Sequence, residues 1–229
     1  MLISVHLPKT AGSSFHQVLS DHFGGGLHRD YADFPLHAPS WKRCSSALWN
    51  ALKTGVHRTP SGIHCIHGHF LPVKYRWLHD PDEPVKFVTW LRHPVERLIS
   101  HYYFWQDHPE LAMDAPLHQQ VLTERWSLEK FCQAPALRNT YSRFLWGFPL
   151  QRFDFIGITE HFDSDLQDFS RRFLCQPIVT PPKMNAGRSD SNRETLSSSI
   201  RRRVEHFHHR DMLLYRWACQ RRKARITSI

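Results

Sequence analysis

Leu2-Ile3-Ser4-Val5-His6-Leu7-Pro8-Lys9-Thr10-Ala11-Gly12-Ser13-Ser14-Phe15 opens the chain and governs how the rest is read. Leu2 to Leu7 is a short apolar run with β-branched members, the pattern of a buried strand. Pro8 to Ser14 is a turn of small and polar residues. Phe15, Val18, Leu19 and Phe23 then recur at helical spacing, with Ser13 or Ser14 placed to cap the helix and Gly24-Gly25-Gly26 placed to stop it. A strand, a small-residue loop and a helix make an anion site, because the first amides of the helix point outward and its dipole favours negative charge. Gly12 lets the backbone approach a ligand; Lys9 adds a point charge, and Thr10, Ser13 and Ser14 add hydroxyls. The plain alternative is an ordinary strand-to-helix turn. No GxxxxGK[ST] is present and the lysine precedes the glycine, so this is not a Walker loop.

Working outward, Gly62–Ile66, Val85–Leu91 and Phe153–Thr159 read as further strands. Helices are expected over Ser45–Lys53, from Pro94 through Tyr103 or beyond, and over Pro116–Thr123, Ser127–Cys132, Arg138–Leu145 and His161–Leu174. One or two more are expected between Arg193 and Arg222. Arg29–Ser40 and Ile178–Asn192 read as loops. Strands alternating with helices predict an α/β fold, a P-loop-like three-layer domain with a central, mostly parallel sheet flanked by helices. The whole chain, 1–229, reads as one domain.

Composition narrows the function. The chain has 229 residues, 41% of them hydrophobic, which excludes a disordered chain. No apolar run approaches the roughly 18 residues that cross a bilayer, so no membrane span is expected. Lys plus Arg outnumber Asp plus Glu by 30 to 21, a net charge of +9 that suits anionic partners or simply a basic surface. Cys44, Cys65, Cys132, Cys175 and Cys219 form no CxxC pair, against a zinc ribbon or a full disulfide framework; reduced thiols and a cytoplasmic location are the simple reading. No signal peptide is read at Met1-Leu2-Ile3-Ser4-Val5.

A second anion motif follows the Val85–Leu91 strand. Arg92-His93-Pro94 opens a helix, and Ser100 lies within reach of the same phosphate if the chain turns at the helix entrance. Arg92 sits at a strand end, where ligands of open α/β sheets bind, and its planar fork suits phosphate. Arg97 reads instead as a salt bridge or a solvated helix face. Two anion sites on neighbouring strand ends imply a ligand with two separated phosphate groups.

Here a resemblance enters. Val5-His6-Leu7-Pro8-Lys9-Thr10-Ala11-Gly12-Ser13-Ser14-Phe15 is similar to the 5′-phosphosulfate loop of sulfotransferases. Leu91-Arg92-His93-Pro94-Val95-Glu96-Arg97-Leu98-Ile99-Ser100-His101-Tyr102 is similar to their 3′-phosphate motif. The carbohydrate branch, with the heparan sulfate 2-O-sulfotransferases and bacterial relatives, matches best. Gly157-Ile158-Thr159-Glu160-His161-Phe162 and Asp211-Met212-Leu213-Leu214-Tyr215 resemble later family segments. The resemblance implies the cofactor 3′-phosphoadenosine 5′-phosphosulfate (PAPS), bound without a metal. Lys9, Thr10, Gly12, Ser13 and Ser14 would hold its 5′-phosphosulfate, and Arg92 and Ser100 its 3′-phosphate. The chain begins at its first strand without the anchor and stem of Golgi members, which favours a soluble, bacterial-type enzyme.

Ile66-His67-Gly68-His69-Phe70 follows a predicted strand, and along an extended segment His67 and His69 face the same side. Structural histidines, a metal site with His64, and a general base are the three readings. The 2-O-sulfotransferases carry a similar His-Gly-His tied to catalysis, which favours the base. A sugar hydroxyl attacks poorly unless its proton is taken, and an imidazole is neutral and basic near pH 7. Lys9 would stabilise charge developing on the leaving phosphate.

Weaker candidates for acceptor contacts are Asn139 and Arg143, with a solvated helix face as the alternative, and Lys183 and Arg188 on the 178–192 loop, which would meet phosphate or acceptor if that loop covers the cofactor, a mobile surface loop being the alternative. Arg201-Arg202-Arg203 and Arg221-Arg222-Lys223 read as solvated helix faces that attract an acidic polysaccharide. Trp41, Trp49, Trp77 and Trp105 read as core, with stacking on sugar rings as the alternative. The expected activity is sulfuryl transfer from PAPS to a carbohydrate hydroxyl; no nucleic-acid partner is expected. Two rivals are an ATP-dependent nucleotide-phosphate transferase, disfavoured by the missing Walker residues, and a non-catalytic polyanion-binding module.

Overall fold

The computed structural model describes residues 1–33, 38–56, 62–79, 84–113, 115–175 and 195–227. Five parallel strands form one sheet: β1 (Leu2–Val5), β2 (Leu27–Asp30), β3 (Cys65–Gly68), β4 (Lys86–Leu91) and β5 (Phe155–Ile158), in the order β2-β3-β1-β4-β5. The register sets Val5 beside Gly68 on one side and beside Thr89 on the other. The order reverses at β1, and such a switch point, at the ends of β1, β3 and β4, is where open α/β sheets bind ligands.

Both sheet faces are covered, and strand alternation decides what goes where. Ile3, Val5, Ile66, Phe87, Leu91 and Ile158 share a core with Tyr141 and Phe144 of α6 (Thr140–Phe144) and Ala218 of α9 (His209–Thr227). On the other face Leu2, Cys65, Val88, Trp90 and Phe155 pack on Phe15, Val18 and Leu19 of α1 (Gly12–Phe23) and on Leu166 and Phe169 of α7 (Phe162–Phe169). This is the expected three-layer α/β arrangement. A satellite core joins Val95 and Leu98 of α3 (Pro94–Asp107), Val121 of α4 (Pro116–Thr123), Phe131 of α5 (Leu128–Cys132) and Val204 of α8 (Ser198–Phe207). The remaining helix, α2, spans Ser40–Val56.

Several expectations need correction. Leu27–Asp30 is a strand, where the sequence suggested a helix stop and the start of a loop. The second expected strand lies three residues later than Gly62, over Cys65–Gly68, so His67 is inside it. Neither Ser13 nor Ser14 caps α1: Ala11, left-handed at φ 62, is the N-cap, and both serines lie in the first turn. The basic runs are not merely solvated. Arg201 bonds Glu96 of α3 at 2.7 Å and Arg203 pairs with Glu129 of α5. Arg221 donates to the carbonyl of Phe153 at 2.9 Å, and Arg222 to Asp165 at 2.7 Å, binding α9 to the β5 region. Trp41, Trp49 and Trp77 are exposed, not core. Among the described residues no helix is long and apolar enough to cross a membrane, and all five cysteines are free thiols.

Candidate functional site

The loop from β1 to α1 is held in an uncommon conformation. Lys9 and Ala11 both have positive φ, 65° and 62°, a left-handed state that side-chain-bearing residues adopt at a cost. Thr10, buried, donates its hydroxyl to the carbonyl of Leu7 at 2.8 Å and closes the turn. The Thr10 hydroxyl hydrogen is therefore directed at the loop itself. Gly12 also makes room for a side chain: a Cβ there would lie 1.5 Å from Nε2 of His6, so that ring would have to move. The imidazole of His6 thus fills the space over Gly12.

His6 is the hub of a histidine cluster that the sequence reading missed. Its ring stacks on His69 with centroids 4.2 Å apart and on His67 at 5.2 Å. His16 of α1 stacks on His67 at 5.2 Å. Both histidines of the β3 end thus meet one ring, but from different sides: His67 lies against Phe15 and His16 of α1, whereas His69, in the bend after the strand, lies against Phe144 of α6, so the shared side expected of an extended segment is not what the chain adopts. Gly68 between them is obligatory, since a Cβ would stand 1.7 Å from the carbonyl oxygen of Asp30 on β2.

The two are not equivalent. His67 is buried, and its Nδ1 is hydrogen-bonded to Ser4 Oγ at 2.8 Å. Burial, with the charges of His16, His69 and Arg29, drives its pKa down to about 3. His69 is partly exposed beside Tyr31 and Phe144. Its Nδ1–H donates to the backbone carbonyl of His6 at 2.6 Å. A carbonyl only accepts, so Nδ1 carries the hydrogen and neutral His69 presents its lone pair at Nε2. Burial lowers its pKa, and the bond to His6 opposes that shift. His69 is therefore a neutral imidazole with an oriented acceptor nitrogen. Among the described residues no three His, Cys, Asp or Glu side chains are arranged to hold a metal ion.

The β4 side is built from fixed charge. Arg92, partly exposed, has its peptide clamped by one phenol: its N–H donates to Tyr141 Oη at 3.1 Å, and Tyr141 Oη–H donates to its carbonyl at 2.7 Å. Tyr141 is fully buried on α6, whose N-terminus is in turn capped by buried Asp211 of α9, accepting from the amides of Tyr141 at 2.9 Å and Ser142 at 3.0 Å. Lys9 reaches across from β1 to α3, its ammonium 3.7 Å from the centroid of the Phe104 ring. Phe104 lies one helical turn after Ser100, on the same face of α3. Burial and the neighbouring Arg92 lower the Lys9 pKa to about 8, against a smaller opposing pull from Asp107. Lys9 and Arg92 thus repel one another at adjacent strand ends, and among the described residues neither makes a salt bridge to a carboxylate.

Arg97 departs from its expected place. It is 1% exposed, donates to Thr140 Oγ1 at 3.2 Å and lies 5.7 Å from the Tyr141 ring centroid, with Nε and Nη1 unpartnered. It supports the Tyr141 clamp from below and is neither solvated nor salt-bridged among the described residues. Asn139 is buried in the α6–α8 junction, its amide donating to His208 Nδ1 at 3.2 Å, so it is not a solvated helix face. Arg143 donates to the carbonyl of Ala136 at 2.5 Å and adjoins Arg43 closely enough for the two charges to repel. Lys183 and Arg188 lie outside the described residues. The structure therefore gathers Lys9, His67 and His69 around His6, with Arg92 beside Lys9, at the ends of β1, β3 and β4.

No protein-family model matches the chain, and no curated protein is significantly similar to it. Among solved structures, the chain is similar to a sulfotransferase from Alicyclobacillus acidocaldarius, 16% identical over 92% of this chain and 91% of that one, with a TM-score of 0.46. At that distance residue roles do not pass from one chain to the other.

Proposed function

We propose that the protein is a sulfotransferase that moves the sulfuryl group of PAPS to a hydroxyl of a carbohydrate acceptor. The observation that supports this best is the pair of cations, Lys9 and Arg92, neither salt-bridged to a carboxylate among the described residues, at neighbouring strand ends beside a neutral, oriented imidazole, His69. Two like charges that repel in the free protein gain most from a ligand that brings negative charge to both. PAPS has that character, with phosphate groups at both its 3′ and 5′ positions. The fit has one qualification in the chain's own residues: His6 occupies the space over Gly12, so the loop offers Lys9 and first-turn amides, not a deep glycine cradle.

In this reading Lys9 and the first-turn amides of α1 hold the 5′-phosphosulfate, with Ser13 and Ser14 beside them. Arg92 and Ser100 hold the 3′-phosphate. Bound there, the cofactor supplies an activated sulfuryl group on a phosphate leaving group. Lys9 stabilises the charge that builds on that phosphate oxygen, an interaction stronger in the transition state than before it. His69 takes the acceptor hydroxyl proton at Nε2 while the His6 carbonyl keeps Nδ1–H in place, a contribution of roughly 10²–10⁴-fold. His67, buried and bonded to Ser4, packs against His6 and holds that ring where it supports His69. Lys9 and Arg92 carry the cofactor and His69 the proton, so no metal enters the scheme. The resemblance of His67-Gly68-His69 to the 2-O-sulfotransferases supports the sugar acceptor, and the net charge of +9 accommodates an acidic polysaccharide.

The test is incubation with sulfur-labelled PAPS and a panel of oligosaccharides. Label recovered in a glycan, and lost in His69→Ala, is the expected result. ATP-dependent phosphate transfer with no sulfuryl transfer would replace this reading by the nucleotide-phosphate rival.

A further inference from the structure

α2 is inside out for a surface helix. Its inward face is formed by Arg43, Ala47 and Ala51, all buried; Ala47 packs with Leu71 and Val73, and Thr54 donates to the carbonyl of Lys74 at 2.7 Å. Its outward face carries Trp41, Leu48, Trp49 and Leu52, which are 69%, 40%, 60% and 54% exposed. On a helix turning about 100° per residue, Trp41, Leu48 and Leu52 fall within about 40° of each other, with Trp49 about 60° further round. Lys42 and Lys53 lie together along the Trp49 edge of that stripe, their ammonium groups 5.7 Å from the centroid of the Trp41 ring and 5.4 Å from that of the Trp49 ring. Trp77, 46% exposed, follows the short turn of helix on which α2 packs. The helix has three cations, Lys42, Arg43 and Lys53, and no Asp or Glu.

A water-facing helix normally shows the reverse pattern, with polar residues outward. A contiguous exposed apolar stripe marks an interaction surface. Tryptophans beside leucines, edged by lysines, suit the boundary between lipid headgroups and acyl chains, where an indole is part wet and part buried. We propose that α2 is a contact for an anionic lipid surface, with Trp41, Leu48, Trp49 and Leu52 entering the headgroup region and Lys42 and Lys53 meeting lipid phosphates. Charge selects this partner over a second copy of the chain. A two-fold contact through α2 would set its cations against the same cations with no carboxylate on the helix to offset them. It also selects lipid over a neutral glycan, since Leu48 and Leu52 add nothing to sugar stacking and the stripe offers little hydrogen bonding. This inference does not depend on the proposed activity.

Co-sedimentation of the full chain with vesicles tests it, using phosphatidylserine mixed with phosphatidylcholine against phosphatidylcholine alone. Binding to the mixed vesicles is expected, with a blue shift of tryptophan emission and loss of binding at high salt. Trp41→Ser/Trp49→Ser should weaken it at least tenfold, and Lys42→Gln/Lys53→Gln severalfold. All four side chains are exposed, so the variants keep the wild-type circular dichroism and melting. Four results would overturn the proposal: no binding to the mixed vesicles, equal binding by the tryptophan variant, self-association that the tryptophan variant abolishes, or capture by those tryptophans of a neutral oligosaccharide in place of lipid.

Discussion

The two flanks of the candidate site are made of different materials. At the β1–β3 ends, imidazole packs on imidazole, and burial holds His6, His16, His67 and His69 below their ordinary range. At the β4 end the groups are the Arg92 guanidinium and Lys9, whose pKa of about 8 leaves it mostly charged at neutral pH. The contrast teaches how one small site supplies both a neutral base and fixed positive charge. Desolvation removes the proton from a group of pKa near 6.5 long before it discharges a guanidinium.

Substitutions on either flank should therefore have separable effects. The largest is expected on the imidazole flank. His69→Ala should lower the sulfuryl-transfer rate by roughly 10²–10⁴-fold while adenosine 3′,5′-bisphosphate affinity, measured by calorimetry, changes little. A rate that survives would break the division of labour. On the cationic flank, Arg92→Met should weaken the bisphosphate by about 10- to 100-fold, the worth of a charge-assisted hydrogen-bonded contact. Adenosine 5′-monophosphate, lacking the 3′ group, should bind as before; equal losses for both nucleotides would remove Arg92 from the 3′ end. Tyr141→Phe sharpens the contrast further. It keeps the buried ring and deletes both bonds to the Arg92 peptide, at about 1 kcal/mol each. About a tenfold loss of bisphosphate affinity, again sparing the monophosphate, distinguishes positioning of Arg92 from simple destabilisation, which would lower both.

The smallest effect is one of pH. Lys9 has a pKa of about 8 in the free protein. Its cation is present below that value and lost above it, so bisphosphate affinity should decline as pH rises through 8. An anion stabilises the charged lysine, so binding should be accompanied by proton uptake near pH 8, seen as a dependence of the calorimetric heat on buffer ionisation. A flat profile to pH 9 would place Lys9 away from the ligand.

How much was legible beforehand follows the range of the interactions. Four strands were readable because β1, β3, β4 and β5 are apolar and central or well covered. β2 was not, because Leu27-His28-Arg29-Asp30 is a half-exposed edge strand whose only claim to β structure is its pairing with β3. Lys9, Arg92 and His67-Gly68-His69 were visible as local motifs at element ends. His6 lay in plain view in the same loop, yet its role depends on Gly12 and on rings of β3 that only folding brings to it. The clamp of Tyr141 on Arg92 joins residues 49 apart in sequence, and no local pattern announces it. Arg97 looked like surface because arginine in a helix usually is. α2 was misjudged for the converse reason: periodicity finds an apolar stripe but cannot say whether it faces the core.

The central claim is that Lys9 and Arg92 grip one doubly charged nucleotide. Calorimetric titration of adenosine 3′,5′-bisphosphate into the wild type, Lys9→Met, Arg92→Met and the double variant tests it directly. One saturable site per chain, weakened by each substitution and abolished by both together, is the predicted result. No saturable uptake by the wild type, or uptake indifferent to either cation, would contradict it.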